Sequence, residues 1–390
     1  MLNGISERAA LLGNRASFLM AGLGIAAWAP MIPFVKERFA LDEHTLGLLL
    51  LCVGAGAFSF MPVCSVIAYR LGCRLACRLA ALGLGAMLCA VAVIDNVYLM
   101  AAALFVMGCF SVTLDVVSNI NAAQLEIDID RPIMSGMHGL YSVGGFIGSL
   151  SFTFLLSHEL SLISSALIMV AVLVLSAVFP FRGLYGSMKA AEENRESSED
   201  RRRGKSALFH PTVLLIGVLC FIMFMTEGSI LDWSGVFLNE NRHLDISMAG
   251  YGYSAFAITM TFFRLTGDRI VRTFGRRAVL VSGTVFVALG YGLTVSVPTV
   301  WAALLGFALI GVGASNVVPQ LVSVAAAIKE VPVHVSVSVV NAVGFTGSLI
   351  GPALIGFIAH QITLPYTFIL QAIAVLCVGA ICFRLLKGRR

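Results

Sequence analysis

The stretch RGLYGSMKAAEENRESSEDRRRGKSALFH, residues 182–210, is the long charged segment of this sequence. It holds seven basic and five acidic residues, and the sequence on either side consists largely of apolar runs of similar total length. A segment this polar has too few hydrophobic residues to form a core of its own. We therefore interpret 182–210 as a linker that joins an N-terminal bundle, 1–181, to a C-terminal bundle, 211–390.

The composition of the flanking sequence indicates a membrane protein. Of the 390 residues, 58% are hydrophobic and 12% are charged, whereas a soluble domain has about 25% charged residues. The apolar runs have about the 20 residues that cross a hydrocarbon core of roughly 30 Å. We therefore expect an all-α membrane protein with twelve transmembrane helices. The predicted spans cover 15–35, 44–69, 77–94, 98–125, 134–156, 161–181, 211–238, 248–267, 278–296, 299–326, 334–360 and 365–386.

The distribution of basic residues predicts the orientation of these spans. Loops and tails on the linker side hold 23 of the 26 basic residues, and the opposite side holds Lys36, Arg38 and Arg242. Because basic loops stay on the cytoplasmic side of a membrane, we expect the linker and both termini in the cytoplasm. The net charge of +5 is thus explained by the basic residues of the cytoplasmic loops, and no nucleic-acid partner is expected.

The two halves repeat each other in parallel. GFIGSL at 145–150 returns as GFTGSL at 344–349, and RLGCR at 70–74 corresponds to TFGRR at 273–277. Trp28 likewise has a counterpart in Trp233. A six-span unit duplicates without inversion, which predicts two bundles related by an axis along the membrane normal, with the substrate between them near the bilayer midplane.

Twelve spans, a long central loop and basic, glycine-centred loops after spans 2 and 8 resemble the major facilitator superfamily. The strings LDVVSN (114–119), RPIMSGMHG (131–139), EGSILDW (227–233) and FRLTGDR (263–269) are similar to a bacterial inner-membrane branch near the fucose permeases. The resemblance covers essentially the whole chain and implies a multi-pass protein of the bacterial inner membrane. It also implies a secondary transporter that works by alternating access.

The resemblance further implies a cytoplasmic gate at the two basic loops. The superfamily's loop motif has an aspartate where this chain has Tyr69 and, in the second copy, Arg272. We expect Asp268 to compensate by pairing with Arg272 one turn later. The gate residues carried over from the motif are Arg70, Gly72, Arg74, Asp268, Arg272, Gly275 and Arg277.

Three acidic residues fall inside predicted spans and are candidates for substrate or proton handling. Asp115 lies in span 4, Glu227 in span 7 and Asp232 nearer the periplasmic end of span 7. An acid at mid-bilayer costs about 2.5–3.5 kcal/mol, so each needs a partner, a proton or a cavity. A structural hydrogen bond is the alternative role, above all for Asp232. Gly228 follows Glu227 directly, so we expect the helix to loosen there.

Polar residues of spans 4 and 5 predict one wall of a substrate cavity. Asn119 lies one turn from Asp115, and counting from the loop at 126–133 places His138 level with Asn119 and Ser142 level with Asp115. The alternative is close helix packing through small residues. The full set of cavity candidates is Trp28, Asn119, His138, Tyr141, Ser142, Trp233, Asn316, Gln320 and Asn341. For Trp28 and Trp233, anchoring at the membrane interface is the alternative role.

The sequence contains no motif of a nucleophile elbow, zinc protease or nucleotide-binding loop, so neither an enzyme nor a cofactor or metal is expected. The nine cysteines lie mostly in apolar runs and are interpreted as small buried hydrophobes. The expected function is transport of a small polar organic solute, sugar-like or another metabolite, with proton coupling as one option and a monomer as the working unit. The alternatives are a drug or metabolite exporter driven by proton antiport, and a membrane sensor that moves nothing.

Overall fold

The structure is a computed structural model whose described residues are entirely helical in their regular secondary structure. In the first half, the helices Glu7–Ala26 and Ile32–Arg38 are joined by one 3-10 turn at Ala29–Met31. The described residues are 5–130, 133–186, 210–328, 330–331 and 333–386. The helices are α1 (Glu7–Ala26), α2 (Ile32–Arg38), α3 (Glu43–Val93), α4 (Val97–Ile129), α5 (Met134–Ser157), α6 (Leu162–Val178), α7 (Pro211–Arg242), α8 (Tyr251–Leu265), α9 (Gly267–Phe274), α10 (Arg276–Ser296), α11 (Val300–Ala314), α12 (Val317–Ala326), α13 (Val333–Ile362) and α14 (Leu364–Leu385).

These helices supply the twelve predicted spans. Within the described residues, ten segments are long and apolar enough to cross a membrane. One of them, α3, has 51 residues and is two helices merged across a kink at Gly72, so it holds spans 2 and 3. The 15-residue helix α8 is shorter than those ten and corresponds to span 8.

Two glycines in matching loops adopt the same unusual backbone conformation. Gly72 has φ 74° and ψ 153°, and Gly275 has φ 81° and ψ 151°. This region of φ and ψ is open essentially to glycine alone. The chain can therefore turn sharply at each basic loop, between spans 2 and 3 and again between spans 8 and 9, which supports the internal duplication.

The chain divides into two compact units, Met1–Ala190 with His243–Ser254, and Ala191–Arg242 with Ala255–Arg390. The 243–254 segment follows α7 in sequence but packs in the first unit. There the Ser149 hydroxyl lies 3.4 Å from the Gly250 carbonyl and 3.1 Å from the Ser254 hydroxyl. The bundle boundaries at 181 and 211 stay a prediction, and linker residues 187–209 lie outside the described part of the chain.

The first residues of the predicted linker are packed into the first unit. Tyr185 is 2% exposed, and its hydroxyl donates to the Asp128 carboxylate at 2.7 Å. Its backbone N–H donates to Asn121 at 2.9 Å, and its carbonyl accepts from the Arg74 backbone N–H at 2.9 Å. Burial, and then the bond to Asp128, raises the pKa of the Tyr185 hydroxyl. The chain is therefore held at Tyr185, three residues after the predicted start of the linker.

Two arginines at equivalent positions close the ends of neighbouring helices. Arg38, at the end of α2, donates to the carbonyls of Val91 and Ala92 at 2.8 Å each and of Ile94 at 3.0 Å. Arg242, at the end of α7, donates to the carbonyls of Thr294 and Val295. The last carbonyls of a helix lack intrahelical partners and carry partial negative charge. Each arginine thus satisfies a helix C-terminus within its own unit.

Candidate transport site

In the first unit, the candidate site begins with a carboxylate and an amide on one face of α4. The Asn119 side chain donates to the Asp115 carboxylate at 3.1 Å and to the Asp115 carbonyl at 2.9 Å. Both residues are partly buried. Because an amide N–H occupies one carboxylate oxygen, the other lone pairs of Asp115 remain available as hydrogen-bond acceptors.

Two tyrosines complete this group. The hydroxyl of Tyr141 on α5 lies within electrostatic range of the Asp115 carboxylate and of the Tyr253 hydroxyl. The Tyr253 hydroxyl also lies beside Gly145, 3.6 Å from where a Cβ would project. A Cβ at Gly22 of α1 would collide with the Tyr141 carbonyl. Glycine at position 22 therefore allows α5 to approach α1 closely enough to place Tyr141 in this group.

The nearness predicted across spans 4 and 5, Asn119 to His138 and Ser142 to Asp115, stays a prediction. The hydrogen bonds of the two residues lie within their own helices: Asn119 bonds to Asp115, and Ser142 donates to the carbonyl of His138 at 3.3 Å. The exposed ring of His138 packs edge-on against Phe18 of α1, with centroids 5.4 Å apart. Helix α1 packs against both α4 and α5, so the small-residue face of α5 is used for helix packing.

In the second unit, an ion pair compensates the carboxylate of Glu227. Arg264 of α8 donates to Glu227 of α7 at 3.4 Å, and the two side chains are 33% and 18% exposed. Arg264 also donates to the carbonyl of Ser315 at 3.3 Å. Ser315 lies between α11 and α12, where the helix is interrupted. One arginine therefore connects a carboxylate in span 7 with the interruption of span 10.

The polar amides of the second unit divide between structural roles and open positions. The Asn316 amide donates to the Phe263 carbonyl at 2.8 Å and to the Ser315 hydroxyl at 3.0 Å, which holds α8 against the interruption. Gln320 accepts from Arg276 at 3.0 Å, and Asn341 is partly buried on α13. Asn316 and Gln320 thus already have protein partners.

The second acid of α7 is buried without a partner. Asp232 is 8% exposed, and its carboxylate makes no hydrogen bond or ion pair to the described residues. Trp28 and Trp233 are 2% and 0% exposed, so neither is placed to anchor in lipid headgroups, which requires an accessible indole.

Helix α7 is continuous from Pro211 to Arg242, and the expected loosening after Glu227 is absent. Gly228 instead faces Ser348 of α13.

A buried polar cluster of the second unit could not be predicted from the sequence. Tyr291, Ser229 and Gln371 form a buried triad, with oxygen separations of 3.0, 2.9 and 2.8 Å. Arg264 and Tyr253 both lie in the predicted span 248–267, and no motif in the sequence indicates their partners. Helical periodicity could not predict the contact between Ser229 and Gln371, because the two residues lie 142 positions apart in different helices.

The gate residues carried over from the family motif have differing environments. Arg74 donates to the Leu184 carbonyl at 3.0 Å, Arg277 stacks on Phe383, and Arg70 and Arg272 are exposed. The Asp268 side chain lies outside the described part of the structure, so the predicted Asp268–Arg272 pair stays a prediction. In the described residues, no cluster of three or more His, Cys, Asp or Glu side chains could hold a metal ion.

Twelve apolar spans with carboxylates inside them define a polytopic membrane protein. The sequence model of the Major Facilitator Superfamily matches residues 16–252 and 233–390. The chain therefore belongs to the major facilitator superfamily, whose members are transporters and not enzymes.

Two relatives and one solved structure agree with this assignment. The chain is 40% identical over 383 residues to an uncharacterised MFS-type transporter of Yersinia pestis, covering 97% of this chain and 95% of the relative. It is 29% identical to membrane protein MosC of Rhizobium meliloti, covering 89% of this chain and 83% of that protein. The fold is similar to a mutant of the nucleoside transporter NupG, with a TM-score of 0.80 at 13% identity, covering 97% of this chain and 100% of that one. The protein is a secondary transporter, and the predicted nearness to the fucose permeases stays a prediction.

Proposed function

We propose that this transporter moves a small, hydroxyl- or amine-bearing organic solute, which binds at the polar group of Asp115, Asn119, Tyr141 and Tyr253. The observation that carries the proposal is that these four side chains converge in the first unit around a carboxylate whose protein partner is a single amide. A carboxylate accepts hydrogen bonds from hydroxyl and ammonium groups, and the tyrosine hydroxyls both donate and accept. A neutral or cationic polar solute matches this set better than an anion does.

Uptake into proteoliposomes tests the solute site. A thermal-shift screen of sugars, nucleosides and amino-sugar metabolites would first identify a ligand, and its radiolabelled form would then be followed across the bilayer. Asp115→Asn should lower solute affinity at least tenfold, because a charge-assisted hydrogen bond contributes on the order of 1.5–3 kcal/mol. Asp95→Asn, at an exposed position just before α4, removes the same charge and serves as the matched control. Equal affinity in both variants would contradict the proposed site.

We propose further that Glu227 couples transport to protons through its ion pair with Arg264. Protonation of Glu227 removes the charge that Arg264 pairs with, which frees the arginine at the interruption between α11 and α12. A proton could thereby change the conformation of span 10. This supports coupling at Glu227 over Asp232, which has no partner among the described residues to release.

Proton-driven accumulation tests the coupling. Glu227→Gln should abolish uphill transport under a pH gradient while solute exchange without a gradient continues. Asp232→Asn, on the same helix, is the control and should retain uphill transport. The sign of the gradient that drives flux distinguishes symport from antiport export, and a protein that moves no solute under any gradient would be a sensor.

The proposed setting is the bacterial inner membrane, with both termini in the cytoplasm and a single chain as the working unit. Its support is the excess of basic residues in the loops that hold Arg70, Arg74 and Arg78 and, in the second half, Arg269 to Arg277. Reporter fusions at the C-terminus that are active only in the cytoplasm test the orientation.

A further inference from the structure

Two apolar grooves lie beside the exposed face of α10 in the second unit. One has a volume of about 420 Å³ and runs between α10 and the helices α8, α9 and α11, with Asn316 at its edge. The other has a volume of about 510 Å³ and runs between α10 and α14. The grooves share Ala278, Ser282 and Phe286, so they flank the same face of one helix.

The walls of these grooves are hydrophobic and accessible from outside. Phe274 is 68% exposed, Val285 41%, Phe286 40% and Phe383 49%. In a chain that spans a membrane, such a surface meets hydrocarbon, and a groove in it fits a flexible aliphatic chain. A water-soluble solute would gain little there, because the walls offer few hydrogen-bonding groups.

A cation with unused donors, Arg277, lines the groove between α10 and α14 and directly precedes Ala278, which lines both grooves. The guanidinium of Arg277 lies 3.9 Å from the centre of the Phe383 ring, and Arg277 donates no hydrogen bond to any described residue. Stacking fixes the direction of this side chain, whose planar fork matches a phosphate. The neighbouring Arg276 is directed elsewhere, to Gln320 at 3.0 Å.

The start of α10 adds a second attraction for an anion. Its N-cap is Gly275, which has no side chain to satisfy the first N–H groups. Unpaired N–H groups and the positive end of the helix dipole both favour an anion at this position. Arg269 and Arg272 are exposed nearby in sequence, and basic residues near an anionic membrane surface strengthen the attraction for an anionic headgroup.

We propose that this is a specific site for an anionic phospholipid, with the phosphate on Arg277 and the first turn of α10. The two acyl chains lie in the two grooves, on either side of Ser282 and Phe286. Charge complementarity selects the headgroup, and the paired grooves select a molecule with two chains. The site is separate from Asp115 and Glu227, and it does not depend on the identity of the transported solute.

Native mass spectrometry and thermal unfolding of the purified full-length protein test the site. The probes are phosphatidylglycerol, phosphatidylcholine of the same chain length, and inorganic phosphate. Phosphatidylglycerol should remain bound and raise Tm by several degrees, whereas the other two probes should not. Equal shifts with phosphatidylcholine or with inorganic phosphate would overturn the proposal, because the first would show a non-selective lipid surface and the second an anion site without chains.

Three variants locate the binding. Arg277→Ala should lower affinity for phosphatidylglycerol about tenfold, since the charge-assisted contact is lost, and Ser282→Phe should weaken binding by filling both grooves. Arg276→Ala removes the same charge one residue away and should bind as the parent protein does. Equal losses in the two arginine variants would overturn the assignment to Arg277. If Arg277→Ala is unstable in detergent, Arg277→Lys replaces it, because lysine keeps the charge but lacks the planar fork of arginine. Unchanged lipid binding by Arg277→Lys would count against the phosphate contact.

Discussion

At the scale of single residues, each acid inside a span needs compensation, because a charge at mid-bilayer costs about 2.5–3.5 kcal/mol. Charge inside an apolar run is visible by inspection, so Asp115, Glu227 and Asp232 could all be found. The partner of Asp115, Asn119, lies one turn away and could be found as well. The partner of Glu227 could not, because Arg264 lies 37 positions from it and pairs with it through tertiary packing. The three acids consequently differ: Glu227 has a cation, Asp115 an amide, and Asp232 no partner in the described structure.

The ion pair of Glu227 and Arg264 should behave as a coupled unit. Arg264→Gln leaves the carboxylate without a cation and should destabilise the protein by about 2 kcal/mol, less than the roughly 3–5 kcal/mol of a fully buried pair, because both side chains are partly exposed. Thermal unfolding in detergent measures this change.

The control is the double variant Glu227→Gln with Arg264→Gln. Removing both charges should restore much of the lost stability, giving a coupling energy in a double-mutant cycle. If the two single losses simply add, the 3.4 Å contact is not an effective interaction.

At the scale of helices, paired arginines set the ends of spans in each unit. Arg38 binds three carbonyls at the C-terminal end of α3, and Arg242 binds two at the C-terminal end of α10. The sequence placed both on the sparsely charged side of the membrane but assigned them no partner. Their equivalence follows from the duplication and was recognisable only once the bonded carbonyls were known.

Loss of Arg38 should uncap the end of α3. Arg38→Ala should destabilise the protein by about 2 kcal/mol, because several charge-assisted hydrogen bonds are lost and the carbonyls are left unsatisfied. Arg38→Lys should recover only part of this, since an ammonium group lacks the fork that spans several carbonyls. Equal Tm values for the lysine variant and the parent would show that charge alone suffices.

Helix continuity was the least predictable feature at this scale. Glycines after Glu227 suggested a loosened span 7, yet α7 is regular because Gly228 packs against α13. Span 10 is interrupted instead, ahead of Pro319 in α12, where Ser315 and Asn316 find partners on α8. Whether a glycine or proline breaks a helix depends on neighbours that a single sequence does not reveal.

At the scale of the whole chain, the fold followed from the sequence with few errors. Span length, the excess of basic residues in the loops on one side and the repeat of GFIGSL as GFTGSL are patterns of the whole chain. An error of a few residues in the bounds of a span does not change them. The packing of Tyr185 could not be predicted, because Leu184 and Tyr185 look like any apolar pair in the sequence until Asn121 and Asp128 are seen to bind Tyr185.

Anchoring at Tyr185 predicts where the linker tolerates change. Replacing residues 190–205 by a Gly/Ser linker of equal length should leave Tm and transport unchanged, because this stretch is too polar to contribute a core. Tyr185→Phe should instead lower stability by about 1–2 kcal/mol through loss of the bond to Asp128. A linker replacement more damaging than Tyr185→Phe would contradict this division.

The turn at Gly275, between α9 and α10, should accept a D-residue more readily than an L-residue. A Cβ there would meet no atom within 4 Å, so lack of space does not exclude a side chain. The restriction is the backbone, because φ 81° with ψ 151° disfavours an L-residue by about 1–3 kcal/mol, whereas its mirror image borders the ordinary extended region. L-alanine at 275 should therefore lower Tm, and D-alanine introduced by semisynthesis should not. The turn into α10 selects for handedness rather than for size.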